Sequence, residues 1–280
     1  MLVVNNLSRQ MVASSKITLT DTHTHLYLKE FDGDRTEMIE RALEAGVEKF
    51  FLPAIDSRVI HEMLALEAAY PYQVHAMMGL HPCSVKDDFQ QELEIVEGWL
   101  EKRPFCAIGE IGIDLFWDKT TLDFQIEAFR TQIAWAKKYD LPIVIHSRES
   151  TELILDILAD EKDERLRGIL HCFTGSTEQA EKAFALGFYL GIGGVVTFKN
   201  AGLDKVVGEL PLEWLVLETD SPYLAPIPYR GKRNESAYIK LVAERVAAIK
   251  NVDLQTVAKV TTNNAKNIFG KITWAYTTLS

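Results

Sequence analysis

Eight short, β-rich apolar runs alternate with helical patterns along this chain, and no other feature narrows its possible folds as far. The runs are "ITLTDTH" near residue 17, "KFFLPAI" near 49, "VHAMMGLH" near 74 and "FCAIGEIG" near 105, then "PIVIHS" near 142, "GILHCF" near 168, "FYLGIGG" near 188 and "WLVLETD" near 214. They recur at intervals of roughly 20 to 35 residues, which leaves room for one helix between successive strands. Such alternation predicts an α/β fold with a parallel sheet, most simply a single (β/α)8 TIM barrel. A doubly wound open sheet is the runner-up, but the first strand lacks the Gly-rich phosphate turn.

The stretches between the runs carry helix-end signals. Asp34 with Glu37 reads as a capping box before "EMIERALEA", and Gly46 as its stop. Ser57 reads as the opening of the next helix, which "YP" at 70–71 closes. Ser176 with Gln179 forms a second capping-box pattern before "AEKAFALG", with Gly187 at its end. Amphipathic runs over 122–139 and 237–249 show apolar residues at helical spacing. Neither an internal repeat nor a Pro/Gly/Ser linker divides the chain, and α/β barrels commonly use about 250 residues for one domain. Residues 17–270 are therefore assigned to one barrel hydrolase domain, 1–16 to an N-terminal extension and 271–280 to a C-terminal tail.

Composition excludes some classes of function. Hydrophobic residues make up 47% of the chain, enough for a sizeable core. No apolar run approaches the ~18 residues of a membrane span. The first 16 residues do not read as a signal peptide, and Cys83, Cys106 and Cys172 are scattered and odd in number. Together these predict a cytoplasmic protein with reduced thiols. The net charge of −10 argues against a broad basic surface that grips duplex nucleic acid. It leaves room for an enzyme that engages one end of a strand, because carboxylates gathered around cations make an acidic sum locally misleading.

The stretch "LTDTHTHL" at 19–26 points to chemistry. In extended backbone, residues i and i+2 share a side, so His23 and His25 aim at one point. Other polar residues also fall where apolar runs end. His81 follows the third run, Glu110 the fourth, His146 the fifth, His171 the sixth, and Glu218 and Asp220 the eighth. Barrel enzymes place their catalytic residues at those ends. A His/carboxylate set of this kind suits two divalent cations that acidify a water and clamp the attacking and leaving oxygens. His23, His25 and Asp220 would hold one ion and His146 and His171 the other, with Glu110 bridging. Asp220 could also take the water's proton. The ligand types leave Mg, Mn and Zn open.

The motifs "DTHTHL", "GLHP", "GEIGID", "IHSR", "LHCFTGS", "LETDSPYLAP" and "RGKRNE" resemble, in order, those of the TatD-family metal-dependent deoxyribonucleases. The resemblance runs from about residue 18 to "NIFG" at 267–270. It implies an amidohydrolase-type (β/α)8 barrel and a dinuclear site at His23, His25, Glu110, His146, His171 and Asp220. It also implies hydrolysis of DNA phosphodiesters, commonly from 3′ ends, with single-stranded DNA or 3′ ends as the partner. One departure is Ser236, where the family usually has proline; serine suits a helix start, so the change reads as local. The competing enzyme reading is hydrolysis of a C–N or ester bond, as in other amidohydrolase-type barrels or a deacylase of misacylated tRNA. A binding protein on an inactive barrel is a third, against which the complete ligand set speaks.

Candidate substrate contacts are harder to separate from structural roles. His81 reads as a phosphate contact, or else as a structural hydrogen bond. Arg148 reads as a bidentate phosphate clamp, with an ion pair to Glu149 as the alternative. Thr174 lies in "FTGS", whose backbone N–H groups open a helix and could cradle phosphate. Tyr223 and Phe116 or Trp117 could stack a base, or simply pack. The basic residues of "RGKR" at 230–233 tilt towards phosphate, and Asp114 and Glu218 could orient ligands.

Overall fold

All eight apolar runs form parallel strands. In the computed structural model, which describes residues 17–270 and Ile272, these are β1 (Leu19–Asp21), β2 (Val47–Pro53), β3 (Val74–Met77), β4 (Ile108–Asp114), β5 (Ile143–Arg148), β6 (Gly168–Leu170), β7 (Phe188–Ile192) and β8 (Leu215–Leu217). The assigned extension at 1–16 and all of the tail except Ile272 lie outside the described residues. Strands β1 to β3 pair in order, as do β4 to β8. A parallel bridge between Met78 and Ile108 joins the two sets. At the other seam, the Thr22 N–H donates to Leu217 O (3.1 Å) and the Asp220 N–H to His23 O (2.9 Å). The sheet is thus closed into a (β/α)8 barrel.

The helices that cover it are α1 (Arg35–Glu44), α2 (Ile60–Ala69), α3 (Phe89–Lys102), α4 (Leu122–Tyr139), α5 (Thr151–Asp160), α6 (Thr177–Ala185), α7 (Leu203–Glu209), α8 (Ile239–Lys250) and α9 (Leu254–Ile268). The Ser176/Gln179 capping box closes as expected, with both reciprocal hydrogen bonds present. The one expected at Asp34 does not. Asp34 stands at the N-cap of α1 without a capping bond, because its carboxylate is taken by Arg41 and Arg233. Ser57 does not open α2 either. Asp56 caps a 3-10 turn at Ser57–Val59 that leads into it, and the Ser57 hydroxyl donates to Glu92.

Strand periodicity places the chemistry. Phe51, Met77, Val144, Ile169 and Val216 gather with Ala265, Ile268 and Phe269 of the α9 end in one small cluster. Their sequence neighbours Phe50, Leu52, Ile143, Ile145, Leu170, Leu215 and Leu217 belong to the larger core shared with the helices. The first set is the barrel's inner floor, since alternate residues face opposite sides. Two residues further along that same face from Val144, Ile169 and Val216 stand His146, His171 and Glu218. Apolar floor and polar mouth are consecutive steps of one alternation.

Helix α4 then fixes the mouth. Its buried stripe, Gln125, Ala128, Phe129, Gln132, Ile133 and Ala136, follows helical spacing but carries two amides. Gln132 accepts from the Leu80 N–H (2.7 Å) and donates to Leu80 O (3.2 Å). Gln125 accepts from the Asp114 N–H (2.8 Å) and donates to Asp114 O (3.2 Å). One helix therefore pins the ends of two strands, next to His81 and at Asp114. Replacing Gln132 with leucine keeps the volume but leaves both Leu80 backbone groups unpaired. Gln132→Leu is expected to lower stability by about 1–3 kcal/mol, read as a reduced urea midpoint with unchanged slope.

Candidate metal centre

Glu110, inside β4 and buried, is the hub of the mouth. Its Oε1 lies 3.0 Å from His146 Nδ1, 3.1 Å from His171 Nε2 and 3.3 Å from His81 Nε2. Its Oε2 lies 3.1 Å from His23 Nε2 and 3.6 Å from His25 Nε2. Asp220 Oδ1 approaches the same pair at 3.7 and 3.5 Å. Strand β1 ends at Asp21, so His23 and His25 sit just beyond it. Their Nε2 atoms nevertheless converge to 3.3 Å.

The proton arrangement tests whether these side chains suit a cation. The Tyr27 hydroxyl donates to Pro53 O (2.6 Å), so it accepts from His25 Nδ1 (2.9 Å). A neutral His25 therefore turns an unprotonated Nε2 towards Glu110 Oε2 and Asp220 Oδ1. Three lone-pair atoms converge there, which a divalent cation satisfies. The His23 ring stacks on His171 at 3.7 Å between centroids, and its Nδ1 is buried without a hydrogen-bond partner. Among the described residues, the groups able to hold an ion are His23–His25–Asp220, His23–Glu110–His171 and His81–Glu110–His146. The first matches the expected set. The second cluster of the sequence reading is divided, with His171 grouped with His23 and His146 with His81. The imidazole and carboxylate donors fit divalent ions.

The electrostatics of the carboxylates point the same way. Burial alone would raise the Glu110 pKa, but His81, His171 and His23 hold it well below the usual carboxylate range. Asp220 is likewise lowered, burial being outweighed by His25, His171 and His23. Burial and the neighbouring His171 lower His23. In His171 the same burial is overcome by Glu110 and Glu218, and its pKa is raised well above normal. The centre thus keeps its carboxylates ionised and ready for cations.

Two further carboxylates steer the rings. Asp114 Oδ2 lies 2.8 Å from His146 Nε2, leaving Nδ1 to face Glu110. Glu218 Oε1 lies 3.4 Å from His171 Nδ1 and accepts from the Cys172 N–H. Gly191 makes that possible, because a Cβ there would stand 2.1 Å from Glu218 Oε2. His81 differs from the other rings. Its Nδ1 accepts from the Cys83 N–H (3.0 Å), so the neutral ring presents an N–H, not a lone pair, to the pocket.

Comparison with known proteins now decides the family. The family model described as TatD related DNase matches residues 20–270. The chain belongs to the TatD family. The metal-dependent hydrolase YabD of Bacillus subtilis is 43% identical over 90% of this chain and 98% of its own. The crystal structure of YjjV, a TatD homologue from Escherichia coli K12, superposes with a TM-score of 0.86 at 32% identity, covering 91% and 98% of the two chains. The 3′-5′ ssDNA/RNA exonuclease TatD of Pectobacterium parmentieri is 28% identical over 89% and 98%.

The other residues of this TatD-family hydrolase fall into place unevenly. Arg148 makes no ion pair with Glu149, which pairs with Lys119 instead; its guanidinium stacks on Phe116. Tyr223 is 48% exposed, its ring 6.2 Å from that of His25. Thr174 is exposed, but the start of α6 is satisfied by its own capping box. "RGKRNE" is a clasp rather than a phosphate site at its last three residues. Arg233 grips Asp34 with two nitrogens (2.6 and 2.7 Å), Glu235 is held by Arg41, and Asn234 donates to Thr219 O and Tyr223 O. Ser236 does not cap a helix. Its hydroxyl donates to Asp21 Oδ2 (2.6 Å), a buried carboxylate that also accepts from Thr219 (2.7 Å).

Tyr27 was missed by sequence reasoning. The signal was present, since Tyr27 continues the i, i+2 series His23, His25, but an aromatic there reads as core. A partner that fixes a ligand's tautomer typically contributes 10–100-fold in metal affinity. Tyr27→Phe, which deletes only the acceptor oxygen, is expected to weaken metal binding by about that factor without unfolding the barrel. Titration with Zn or Mn followed by calorimetry measures it.

Proposed function

We propose that this TatD-family hydrolase is a deoxyribonuclease that removes nucleotides from the 3′ end of single-stranded DNA, using two divalent ions. The observation that carries the reading is the contrast at the mouth between lone pairs and N–H groups. His25 and the carboxylates offer lone pairs to cations, whereas His81 offers an N–H, and Arg148 makes no ion pair among the described residues. Donors beside a cation centre suit a phosphodiester, whose oxygens need both. The single-strand and 3′ preference follows the name of the Pectobacterium relative.

His23, His25, Asp220, His146 and His171 would hold the ions, with Glu110 placed between them, one oxygen towards His23 and His25 and the other towards His146 and His171. When bound, such ions supply a water acidified towards neutral pH and neutralise charge on the phosphate. The chain's own groups do the rest. His81 Nε2–H and the Arg148 guanidinium bind and orient the phosphate oxygens. Asp114 and Glu218 keep His146 and His171 in register. Asp220, ionised at the rim, accepts the proton of the attacking water. Digestion of end-labelled single-stranded DNA with added Mg, Mn or Zn tests the reading. A protein that cleaves simple esters or amides but no DNA under any of these conditions overturns it.

Two substitutions sharpen the assignment. Glu110→Gln removes the anionic bridge and is expected to lose at least one ion per chain by elemental analysis, along with turnover. Retention of both ions with full turnover excludes Glu110 as the bridge. Asp220→Asn preserves shape but not basicity, and general-base catalysis is typically worth a factor of 10² to 10⁴. Its kcat on single-stranded DNA is expected to fall by at least about a hundredfold, with little change in substrate affinity. Near-full activity would move the proton acceptor to another group, Glu218 being next.

A further inference from the structure

The turn after β4 holds large aromatic surface that folding leaves in water. Phe116 is 46% exposed and Trp117 69%, while the other described tryptophans, Trp99, Trp135 and Trp214, are buried or partly buried. The two rings meet edge to face at 4.9 Å and 88°. The Arg148 guanidinium lies over Phe116 at 3.7 Å and over Trp117 at 5.4 Å. Contiguous exposed apolar surface marks interaction sites where scattered residues do not, and this patch joins a π surface to a cation.

This turn is not a loose surface feature. Asp114 Oδ1 accepts from both the Phe116 N–H (2.9 Å) and the Trp117 N–H (3.0 Å), while its Oδ2 lies 2.8 Å from His146 Nε2. The Leu115 N–H donates to Arg148 O (2.9 Å). One carboxylate therefore sets a ring of the metal centre and the backbone of the aromatic turn together, so the turn's position relative to the reacting phosphate is built in. Asp114 is held well below the usual carboxylate range, burial being outweighed by His146 and these backbone donors.

We infer that Trp117, backed by Phe116 and Arg148, is a stacking subsite for an unpaired base of a strand whose terminal phosphodiester lies at the metal centre. The inference rests on the phosphodiester reading above and adds what selects the substrate. Every base has a π face, so stacking accepts any sequence. In a duplex those faces are covered by neighbouring pairs, so the platform favours single strands. Arg148 joins the two halves, its charge serving a phosphate and its plane packing on the aromatic pair.

Oligonucleotides carrying one abasic residue, placed in turn at the first few positions from the 3′ end, test this with the full chain and added Mn. Base stacking by an aromatic side chain corresponds to about a 5- to 150-fold effect. One abasic position is expected to raise the wild-type KM by a factor in that range, with kcat nearly unchanged. Trp117→Ala should raise KM on the intact oligonucleotide by a similar factor and add no further loss at that abasic position. Trp117→Phe, which keeps a smaller π face, should restore most of the affinity. Equal penalties for Trp117→Ala on intact and abasic strands, or none on either, overturn the subsite and leave the nuclease reading standing. A wild-type protein inactive on every strand overturns the nuclease reading itself, and this inference with it.

Discussion

A buried carboxylate cannot stay ionised unless its surroundings supply positive charge or hydrogen bonds, and Glu110 is such a group. Imidazole nitrogens from five histidines lie within 3.6 Å of its two oxygens. Those rings come from the ends of β1, β3, β5 and β6, and only a closed barrel brings these to one point. The constraint acts in both directions. Without the barrel Glu110 has no partners, and without Glu110 and its cations the barrel mouth is a crowd of nitrogens with nothing to bind.

Around this hub the molecule uses polar groups to fix positions where apolar packing would allow slippage. Gln132 and Gln125 reach from one helix to the backbone beside His81 and at Asp114. Arg233 and Arg41 clasp the loop after β8 to α1 through Asp34 and Glu235. Asp21, directly before the histidine pair, is pushed up to about 7 by burial against hydrogen bonds from Ser236 and Thr219 that lower it. Backbone at the site is strained as well. Asp220 (φ 54°) and Cys172 (φ 47°) both occupy the left-handed region without being glycine. Such positions typically cost about 1–3 kcal/mol each, and the surrounding bonds hold them there. The Asp220 N–H donating to His23 O is one of those bonds.

The arrangement also separates two kinds of recognition. Cations are met by lone pairs deep in the mouth, where water is scarce and geometry is rigid. At the rim stand groups of another kind, the His81 N–H, the Arg148 guanidinium and exposed aromatic faces, which on the proposed function would meet the nucleic acid. On that same reading a net charge of −10 is no obstacle to a polyanionic substrate, because bound cations, not the surface, would supply the attraction at the reacting phosphate.

The sequence by itself determined the class of fold and which imidazoles and carboxylates stand where the strands end. Eight apolar runs became eight strands, because alternation of side chains is a local property that burial only ratifies. For the same reason His146 and His171 could be placed at strand ends, two residues beyond an inward-facing apolar partner. What local pattern could not decide was which polar groups meet across the barrel. Asp34 has the spacing of a capping box, yet two arginines, one of them 199 residues away, outcompete the helix N-terminus for its carboxylate. Arg233 reads as a phosphate ligand until that ion pair is seen. Ser236 does stand at a helix start, opening a 3-10 turn at Ser236–Tyr238, but its hydroxyl bonds Asp21, 215 residues away in sequence. The division of the second histidine pair and the role of Tyr27 belong to the same class. Each depends on the direction of a hydrogen bond between distant segments, and that direction exists only once closure of the barrel has set the distances.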